Sequence, residues 1–233
     1  DNKDLTLTPT LFENDTIMSV AEYRQVNKNS NLLMDIGIVK GYKSTATNKK
    51  NNLSHLFLDF DLDLGLENYL SSDLSLSIEK VSNDTYLKVF DSHITNSGVR
   101  PKNFDKLNSN IKINLNHENY NFETGVQSYK NLQVKKKSDQ YQYVLPYYNF
   151  DRTISQDYLD GNINFNSSGS NDLRNTNSLE TNVINNLTYQ SLDSFSNLGF
   201  KNNFSINLQN LNSIGKKTTQ YKSSPQIELA TLF

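Results

Sequence analysis

The chain has 233 residues, and its 23 lysine and arginine residues nearly balance its 25 aspartate and glutamate residues, which leaves a formal net charge of -2. This balance excludes the bulk positive charge of nucleic-acid-binding proteins, and the absence of cysteine excludes disulfides and thiolate metal sites. Only 35% of the residues are hydrophobic, which is typical of a disordered chain or of a sheet with one wet face. The patterned placement of 13 Tyr and 12 Phe favours the sheet.

No apolar run approaches the roughly 18 residues of a transmembrane helix, whereas the strands of a membrane barrel need only about 9–11 alternating residues. The sequence opens on Asp1 without a methionine and stops inside an apolar run at Phe233. We therefore expect it to be a piece of a longer polypeptide.

Alternation of apolar and polar residues with a period of two predicts an all-β fold, an antiparallel meander of about 10–12 long strands. The predicted strands lie near residues 4–12, 16–26, 31–42, 53–65, 70–82, 107–116, 119–129, 139–151, 160–168, 179–190, 197–210 and 224–233. Many have roughly 9–13 residues, longer than the usual strand of a soluble protein. No break in composition divides the chain, so we expect residues 1–233 to form a single unit.

The segment 56–64 shows the alternation most clearly, because a strand collects its three aspartates on one side whereas a helix would scatter them. Its apolar side carries Leu56, Leu58, Phe60, Leu62 and Leu64. A second alternating segment, 74–79, has the same pattern. The polar residues predicted to line one side of these two strands are Asp59, Asp61, Asp63, Ser75, Ser77 and Glu79.

Polar clusters with turn chemistry separate the strands. Asn27–Asn31 and Asn116–Asn119 predict tight turns, and longer connections are predicted at about 83–106, 130–140 and 167–178. Alternating short and long connections are typical of a transmembrane barrel. Aromatic residues near strand ends are interpreted either as an interfacial girdle or as cross-strand pairs in a soluble sheet. These residues are Tyr120, Phe122, Tyr141, Tyr143, Tyr147 and Tyr148.

The sequence carries no pattern of catalytic residues. His55, His93 and His117 have no metal-ligand spacing, and we expect each to be an exposed strand or loop residue. The aspartates of segment 56–64 resemble a calcium loop, but Leu64 and Leu70 stand where glycine and glutamate are required. No phosphate-binding loop and no nucleophile elbow occurs. We predict that the protein is not an enzyme and uses no cofactor or metal.

Three segments resemble one known family in sequence. The opening stretch Asp4–Leu11, which reads DLTLTPTL, is followed by Ala21–Arg24, which reads AEYR. Val81–Leu87 and Tyr141–Phe150 resemble two later segments of the same family, in the same order. The family is LptD, the lipopolysaccharide-assembly or organic solvent tolerance proteins. The resemblance covers about residues 1–151, and the remainder matches only in the rhythm of its strands.

The resemblance implies that the chain is the first portion of a large β-barrel in the bacterial cell outer membrane. A β-jellyroll would precede it and the closing strands would follow. The implied partners are lipopolysaccharide, outer-membrane lipid, an LptE-like plug lipoprotein and, through the preceding domain, an LptA-like periplasmic bridge; nucleic acid is not among them. Lipopolysaccharide would leave through a lateral gate between the first and last strands.

The first strand is the implied gate. Its residues are Leu5, Thr6, Leu7, Thr8, Pro9, Thr10 and Leu11. Proline has no N–H, so Pro9 removes one ladder hydrogen bond, which suits a seam that must open. Without the resemblance, an ordinary edge strand blunted by proline is the favoured interpretation. The family often has a proline in its second strand as well, but none occurs between Ile17 and Val26.

The alternation divides the gate strand between two environments. The leucines and Pro9 are predicted to face lipid, and Thr6, Thr8 and Thr10 to face the lumen. The polar set of segments 56–64 and 74–79 is assigned to the lumen as well, against the plug. Two other functions stay open: a porin or passive channel, which has the same strand pattern, and a soluble structural β-protein.

Overall fold

The structure of the protein is a computed structural model that describes residues 2–44, 49–94, 96–156, 160–174, 178–197, 199–215 and 218–232. These residues form thirteen β-strands and one short α-helix, α1 (Tyr86–Val89). The strands are β1 (Lys3–Phe12), β2 (Thr16–Val26), β3 (Ser30–Lys43), β4 (Lys50–Asp63), β5 (Ser71–Val81), β6 (Lys106–Asn116), β7 (Tyr120–Asn131), β8 (Tyr141–Gln156), β9 (Gly161–Arg174), β10 (Ser178–Ser191), β11 (Ser194–Phe195), β12 (Lys201–Gly215) and β13 (Thr218–Leu232).

Each long strand pairs with its neighbours in chain order, which confirms the predicted all-β meander. Twelve of the described strands have ten or more residues, and β11 has two. The tight turns after β2 and β6 and the longer connections after β5 and β7 are also confirmed.

The predicted long connection at 167–178 is wrong, because β9 continues to Arg174 and β10 begins at Ser178. The serine, glycine and asparagine residues there are polar strand residues rather than turn residues. They pair in register across the two strands, and the hydroxyl of Thr181 donates a hydrogen bond of 2.7 Å to Asn171. Cross-strand side-chain bonds of this kind stabilise a strand whose composition is typical of a loop.

The chain divides into two compact units, described here one at a time. The first consists of Asp1–Gly65, Asp73–Lys112 and Gln127–Gln142, and the second of Leu66–Ser72, Ile113–Val126 and Tyr143–Phe233. The prediction of a single barrel portion over residues 1–233 stays a prediction.

The sheet of the first unit has two chemically different faces. Between β5 and β6, residues 82–94 and 96–105 fold back over one face; we name these residues the strap and this face the covered face. A hydrophobic core joins the two, and its buried members are Met18, Val39, Leu53, Phe57, Val81, Tyr86, Leu87, Phe90, Ile94, Val99, Leu107 and Leu132. The opposite face of β1–β5 is named the uncovered face.

The uncovered face is apolar in register across five strands. Pairing places Leu7 beside Ala21, Ala21 beside Ile36 and Ile36 beside Leu56. Further members of this face are Leu5, Leu11, Ile17, Ile38, Leu58, Phe60, Leu62, Leu74, Leu76 and Ile78. None of these side chains is buried. Ser19, Ser54 and Lys80 lie among them on the same face. A sheet face this rich in apolar residues that are not buried is uncommon on a soluble monomer.

The second unit also separates apolar from polar side chains. Along β9, β10 and β12, one face carries Ile163, Phe165, Leu187, Tyr189, Ile206 and Leu208. The other face carries Asn162, Asn164, Asn166, Asn186, Thr188, Asn207 and Gln209. The separation holds at these positions only, because Asn171, Asn185, Asn210 and Asn212 share the face of Ile163, and Ile184 and Leu211 share the opposite face.

Candidate functional site

The candidate site begins with β1, which is predicted to form the gate and is called the gate strand. Among the described residues β1 pairs only with β2, so its other edge is free. Leu5, Leu7 and Leu11 are 59%, 67% and 78% exposed, so more than half of the surface of each residue has no protein neighbour. Thr6, Thr8 and Thr10 lie on the covered face, beside Glu22, Val20 and Met18 respectively.

The backbone of Pro9 is directed toward the free edge. The N–H of Val26 donates to the carbonyl oxygen of Asn2 at 2.8 Å, and the pairing continues in register from Lys3 and Gln25. Hydrogen-bonded and non-hydrogen-bonded pairs alternate along an antiparallel ladder. The even-numbered residues of β1 therefore bond to β2, whereas the odd-numbered ones, including Pro9, direct their backbone groups away from it. The missing N–H belongs to the free edge and leaves the β1–β2 ladder intact.

The predicted polar set lies together on the covered face. Asp59 pairs with Ser77 and Asp61 with Ser75, while Glu79 stands opposite Phe57 one step further along the ladder. Asp63 continues the row beside Asp73. The carboxylates of β4 are exposed and lie beyond the hydrophobic core on the same side of the sheet. Their assignment to a lumen stays a prediction.

The expectation that His55 is exposed is wrong, because only 2% of it reaches solvent. Its Nε2 lies 3.1 Å from Asp35 Oδ1, and its Nδ1 lies 2.8 Å from the hydroxyl of Tyr86. The ring stacks on Phe57 with 4.3 Å between centroids and 8° between planes. On its other side a Cβ at Gly37 would stand 2.2 Å from the ring, so only glycine leaves room there.

Sequence reasoning missed this network, although one signal was present. His55 has the same strand parity as Leu53 and Phe57, two residues that the structure buries. A histidine in phase with apolar neighbours belongs to whichever face the core covers. The partner Tyr86 lies in the Val81–Leu87 segment that carries the family resemblance.

The strap is anchored to the sheet through Tyr86 and Asp84. Burial, and to a lesser degree the charge of Asp35, raises the pKa of the Tyr86 hydroxyl above its usual range. Asp84 accepts hydrogen bonds from Lys130 Nζ at 2.7 Å and from Gln140 Nε2 at 2.8 Å. Burial alone would raise the pKa of Asp84, but these two donors and the charges of Lys130 and Lys137 lower it overall.

The strap also reaches the end of the gate strand. The ring centroid of Phe90 lies 6.1 Å from that of Phe12, the last residue of β1, and 5.7 Å from that of Tyr42. Phe12 also contacts the ring of His93, with 4.8 Å between centroids. One end of β1 is therefore packed, whereas its leucines are not.

The other two histidines do not join His55. His93 is exposed on the strap, as expected, and His117 is half-buried in the turn after β6, where it stacks on Tyr120 with centroids 4.7 Å apart. Within the part of the chain that the structure describes, no three histidine, aspartate or glutamate side chains are grouped closely enough to hold a metal ion. In the same residues, no helix has the length and apolar character needed to cross a membrane.

Aromatic side chains form a row in the second unit. The ring centroids of Tyr69 and Tyr120 are 6.2 Å apart, those of Tyr120 and Phe150 are 5.9 Å apart, and those of Phe150 and Phe165 are 6.1 Å apart. Tyr120 is one of the residues predicted for an aromatic girdle; Phe150 and Phe165 were not. Whether this row lies at a membrane interface stays a prediction.

No protein-family model matches the chain, and no curated protein matches it in sequence. The assignment of function therefore depends on the three sequence segments and on the geometry described above.

Proposed function

We propose that this chain is part of an outer-membrane translocon that inserts lipopolysaccharide into the outer leaflet through a lateral gate formed by β1. The observation that carries the proposal is the orientation of Pro9, whose missing N–H lies on the edge of β1 away from β2, beside the exposed Leu7 and Leu11. The opening motif of the LptD-like resemblance coincides with this strand.

The uncovered face supports a membrane location. Leucine, isoleucine and phenylalanine side chains align across five strands, exposed on β1 and β2 and half-buried on β4 and β5, whereas the covered face carries threonine, aspartate and serine beyond its core. Strands that cross a lipid bilayer have this arrangement, with apolar residues toward lipid and polar residues toward a lumen. The outer membrane and the partners implied by the resemblance, including the plug lipoprotein and the periplasmic bridge, are part of this proposal.

The free edge suits a seam that closes and reopens. A net backbone hydrogen bond contributes about 0.5–1.5 kcal/mol. A strand that pairs with the outward edge of β1 forms one such bond fewer, because Pro9 has no N–H to donate. The backbone hydrogen bonds between β1 and β2 are unaffected. The loss weakens the seam locally and leaves closure favourable.

The experiment is photo-crosslinking in cells with the full-length protein, carrying a photoreactive residue at Leu7 or Leu11. A lipopolysaccharide adduct at these sites is expected, and a probe at Lys135, in the connection between β7 and β8, serves as the matched control. An inserted protein that forms no adduct at either leucine would overturn the gate and favour a passive channel. A protein that stays soluble without detergent would overturn both and favour a structural β-protein.

A further inference from the structure

Charged residues are divided between the two faces of β1–β5. The covered face has all the carboxylates of these strands and their one arginine: Asp4, Glu22, Arg24, Asp35, Asp59, Asp61, Asp63, Asp73 and Glu79. The uncovered face has all their lysines: Lys3, Lys40, Lys43, Lys50 and Lys80. Among the described residues of β1–β5, the uncovered face therefore has lysines and no carboxylate.

Four of these lysines stand at the same end of the sheet. This is the end at which β1 stops at Phe12, and we name it the Phe12 end. The four lie within the last four residues of β3, at the first residue of β4 and at the next-to-last residue of β5, and all are exposed. We name them the lysine cluster: Lys40, Lys43, Lys50 and Lys80.

A β-bulge brings two members of the lysine cluster together. β3 has one extra residue between Val39 and Tyr42, relative to its partner strand. Gly41 has a φ of 79° in this bulge, a backbone conformation that favours glycine. The extra residue shifts the alternation, so that Tyr42 packs against the core of the covered face and Lys43 lies directly opposite Lys50 on the uncovered face.

The pairing of Lys43 with Lys50 is unfavourable for the protein by itself. Side chains directly opposite each other on adjacent strands have Cβ atoms about 4.5–5.5 Å apart, and like charges at such positions destabilise a sheet. Among the described residues, no carboxylate forms an ion pair with any member of the lysine cluster. An anion bound between the two ammonium groups would remove the repulsion, because each of them donates hydrogen bonds to phosphate oxygens.

The residues next to the lysine cluster select among anions. On the same face Ile17 stands beside Lys40, and Leu56 stands beside Lys80. A soluble anion would contact the ammonium groups alone. An anionic lipid would use both kinds of residue, because its acyl chains contact the apolar side chains and its headgroup contacts the lysines. Lysine stems lie along apolar surface while their charged ends reach the polar headgroup region.

We propose that the lysine cluster binds the phosphate groups of anionic membrane lipid at the Phe12 end of the uncovered face. This inference rests on the proposed function only in placing the uncovered face against lipid. Leu11 of the gate strand pairs with Ile17, and Ile17 pairs with Lys40. A lipid held at Lys40 therefore lies two strand spacings from the gate strand, a distance of about 10 Å.

The test measures the lipid preference of the full-length protein in phosphatidylcholine vesicles. Electron paramagnetic resonance of spin-labelled phosphatidic acid and spin-labelled phosphatidylcholine reports how much of each lipid contacts the protein. Phosphatidic acid should be preferred. The double variant Lys43→Gln, Lys50→Gln should reduce the preference at least about fivefold, because a single lysine near an anionic lipid surface contributes a factor of about five.

The variant Lys88→Gln, Lys102→Gln is the matched control. Both lysines are exposed on the strap, on the other side of the sheet, and their loss changes the net charge by the same amount. This variant should keep the preference for phosphatidic acid. An equal reduction in both double variants would assign the preference to net charge and contradict the proposal.

Insertion distinguishes this proposal from the proposed function. A wild-type protein that inserts into the vesicles without preferring phosphatidic acid would overturn the lipid site and leave the membrane location intact. A protein that inserts into no vesicle would overturn both.

Unfolding in urea gives a second readout. In a neutral detergent the variant Lys43→Gln, Lys50→Gln should unfold at a higher urea concentration than the wild type, because the repulsion between the lysines is absent. Added phosphatidic acid should raise the midpoint of the wild type more than that of the variant, because only the wild type has the two ammonium groups that bind the phosphate. Equal stabilisation of both proteins by phosphatidic acid would refute the site.

A final comparison separates membrane lipid from a soluble anion. The lipid preference is measured in sodium phosphate and in sodium chloride of equal ionic strength, so that screening is the same in both. Similar preferences are expected. A preference lost in phosphate alone would assign the lysine cluster to soluble phosphate and overturn the assignment to lipid.

Discussion

The imidazole of His55 and the carboxylate of Asp35 meet at 3.1 Å inside the first unit, with side chains that are 0% and 1% exposed. They lie on adjacent strands, and the second ring nitrogen of His55 reaches Tyr86 in the strap. The other carboxylate oxygen of Asp35 has no hydrogen-bond partner among the described residues. The contact between sheet and strap is therefore polar and shielded from solvent, and one of its acceptor atoms has no hydrogen-bond partner among the described residues.

Removing one member of this pair should cost more than removing both. His55→Phe leaves the Asp35 carboxylate buried without its partner, and the loss of one member of a buried pair typically costs about 3–5 kcal/mol. The double variant Asp35→Leu, His55→Phe replaces both groups with apolar ones and should recover much of that stability. Urea unfolding of the wild type, Asp35→Leu, His55→Phe and the double variant, read as a double-mutant cycle, measures the difference. Additive losses would show that the pair does not act as a unit.

Stability of the strap should fall at alkaline pH. Burial raises the pKa of Tyr86 above the value of about 10 in an unfolded chain. The folded state therefore keeps its proton where the unfolded state loses it, so the stabilisation is complete below about pH 10 and declines as the pH rises further. Protease cleavage within residues 82–105, followed from pH 8 to pH 11, should rise above about pH 10.

The variant Tyr86→Phe is the control for this pH dependence. It removes the titrating hydroxyl and keeps the ring that packs beside Phe90. Its cleavage should be faster at neutral pH, because His55 loses a hydrogen bond, but should depend less on pH. An unchanged alkaline response in this variant would assign the effect to another group.

The two faces of β1 should tolerate charge unequally. Leu7 lies on the uncovered face and Thr8 on the covered face, at adjacent positions of one strand. An arginine at the lipid midplane costs about 2–4 kcal/mol, and an aspartate costs less. Leu7→Asp should impair membrane insertion more than Thr8→Asp, measured as the heat-modifiable folded fraction of the full-length protein. Equal tolerance at both positions would refute the assignment of the faces.

Neighbouring positions on β4 should respond oppositely to a quencher confined to the lipid phase. Phe60 lies on the uncovered face and Asp61 on the covered face. A fluorescent amino acid at position 60 should be quenched in the refolded full-length barrel, whereas one at position 61 should not. The same contrast is expected between Leu76 and Ser75. Quenching at position 61 would refute the assignment of Asp61 and the other aspartates of β4 to the lumen.

The sequence predicts the strands far better than it predicts what covers them. Alternation depends only on neighbouring residues, so it locates strands even in asparagine-rich segments such as β12. It fails between β9 and β10, where serine and glycine residues of a polar strand were interpreted as a connection. The burial of His55 depends on Tyr86, 31 residues later, folding back over the sheet, and no local pattern contains that information.

Part of the candidate site can be predicted from the sequence, and part requires the structure. The alternation of strand positions predicts that Asp59, Asp61 and Asp63 share one face. The opening motif identifies Pro9 as a residue of the first strand. The direction of the missing N–H toward the free edge requires the pairing register. The position of the strap also requires the structure, because Gly98 approaches Leu33 of β3 only through tertiary packing.

The close fit of Gly37 against His55 permits only one pairing register between β3 and β4. A slip of two residues keeps every side chain on its own face, so alternation alone does not reject it. It would, however, bring either Asp35 or Val39 opposite His55, and each has a side chain where the ring now lies. Only one alignment accommodates the imidazole. The register of β3 against β4 is thus set at Gly37, where the absence of a side chain leaves room for the ring.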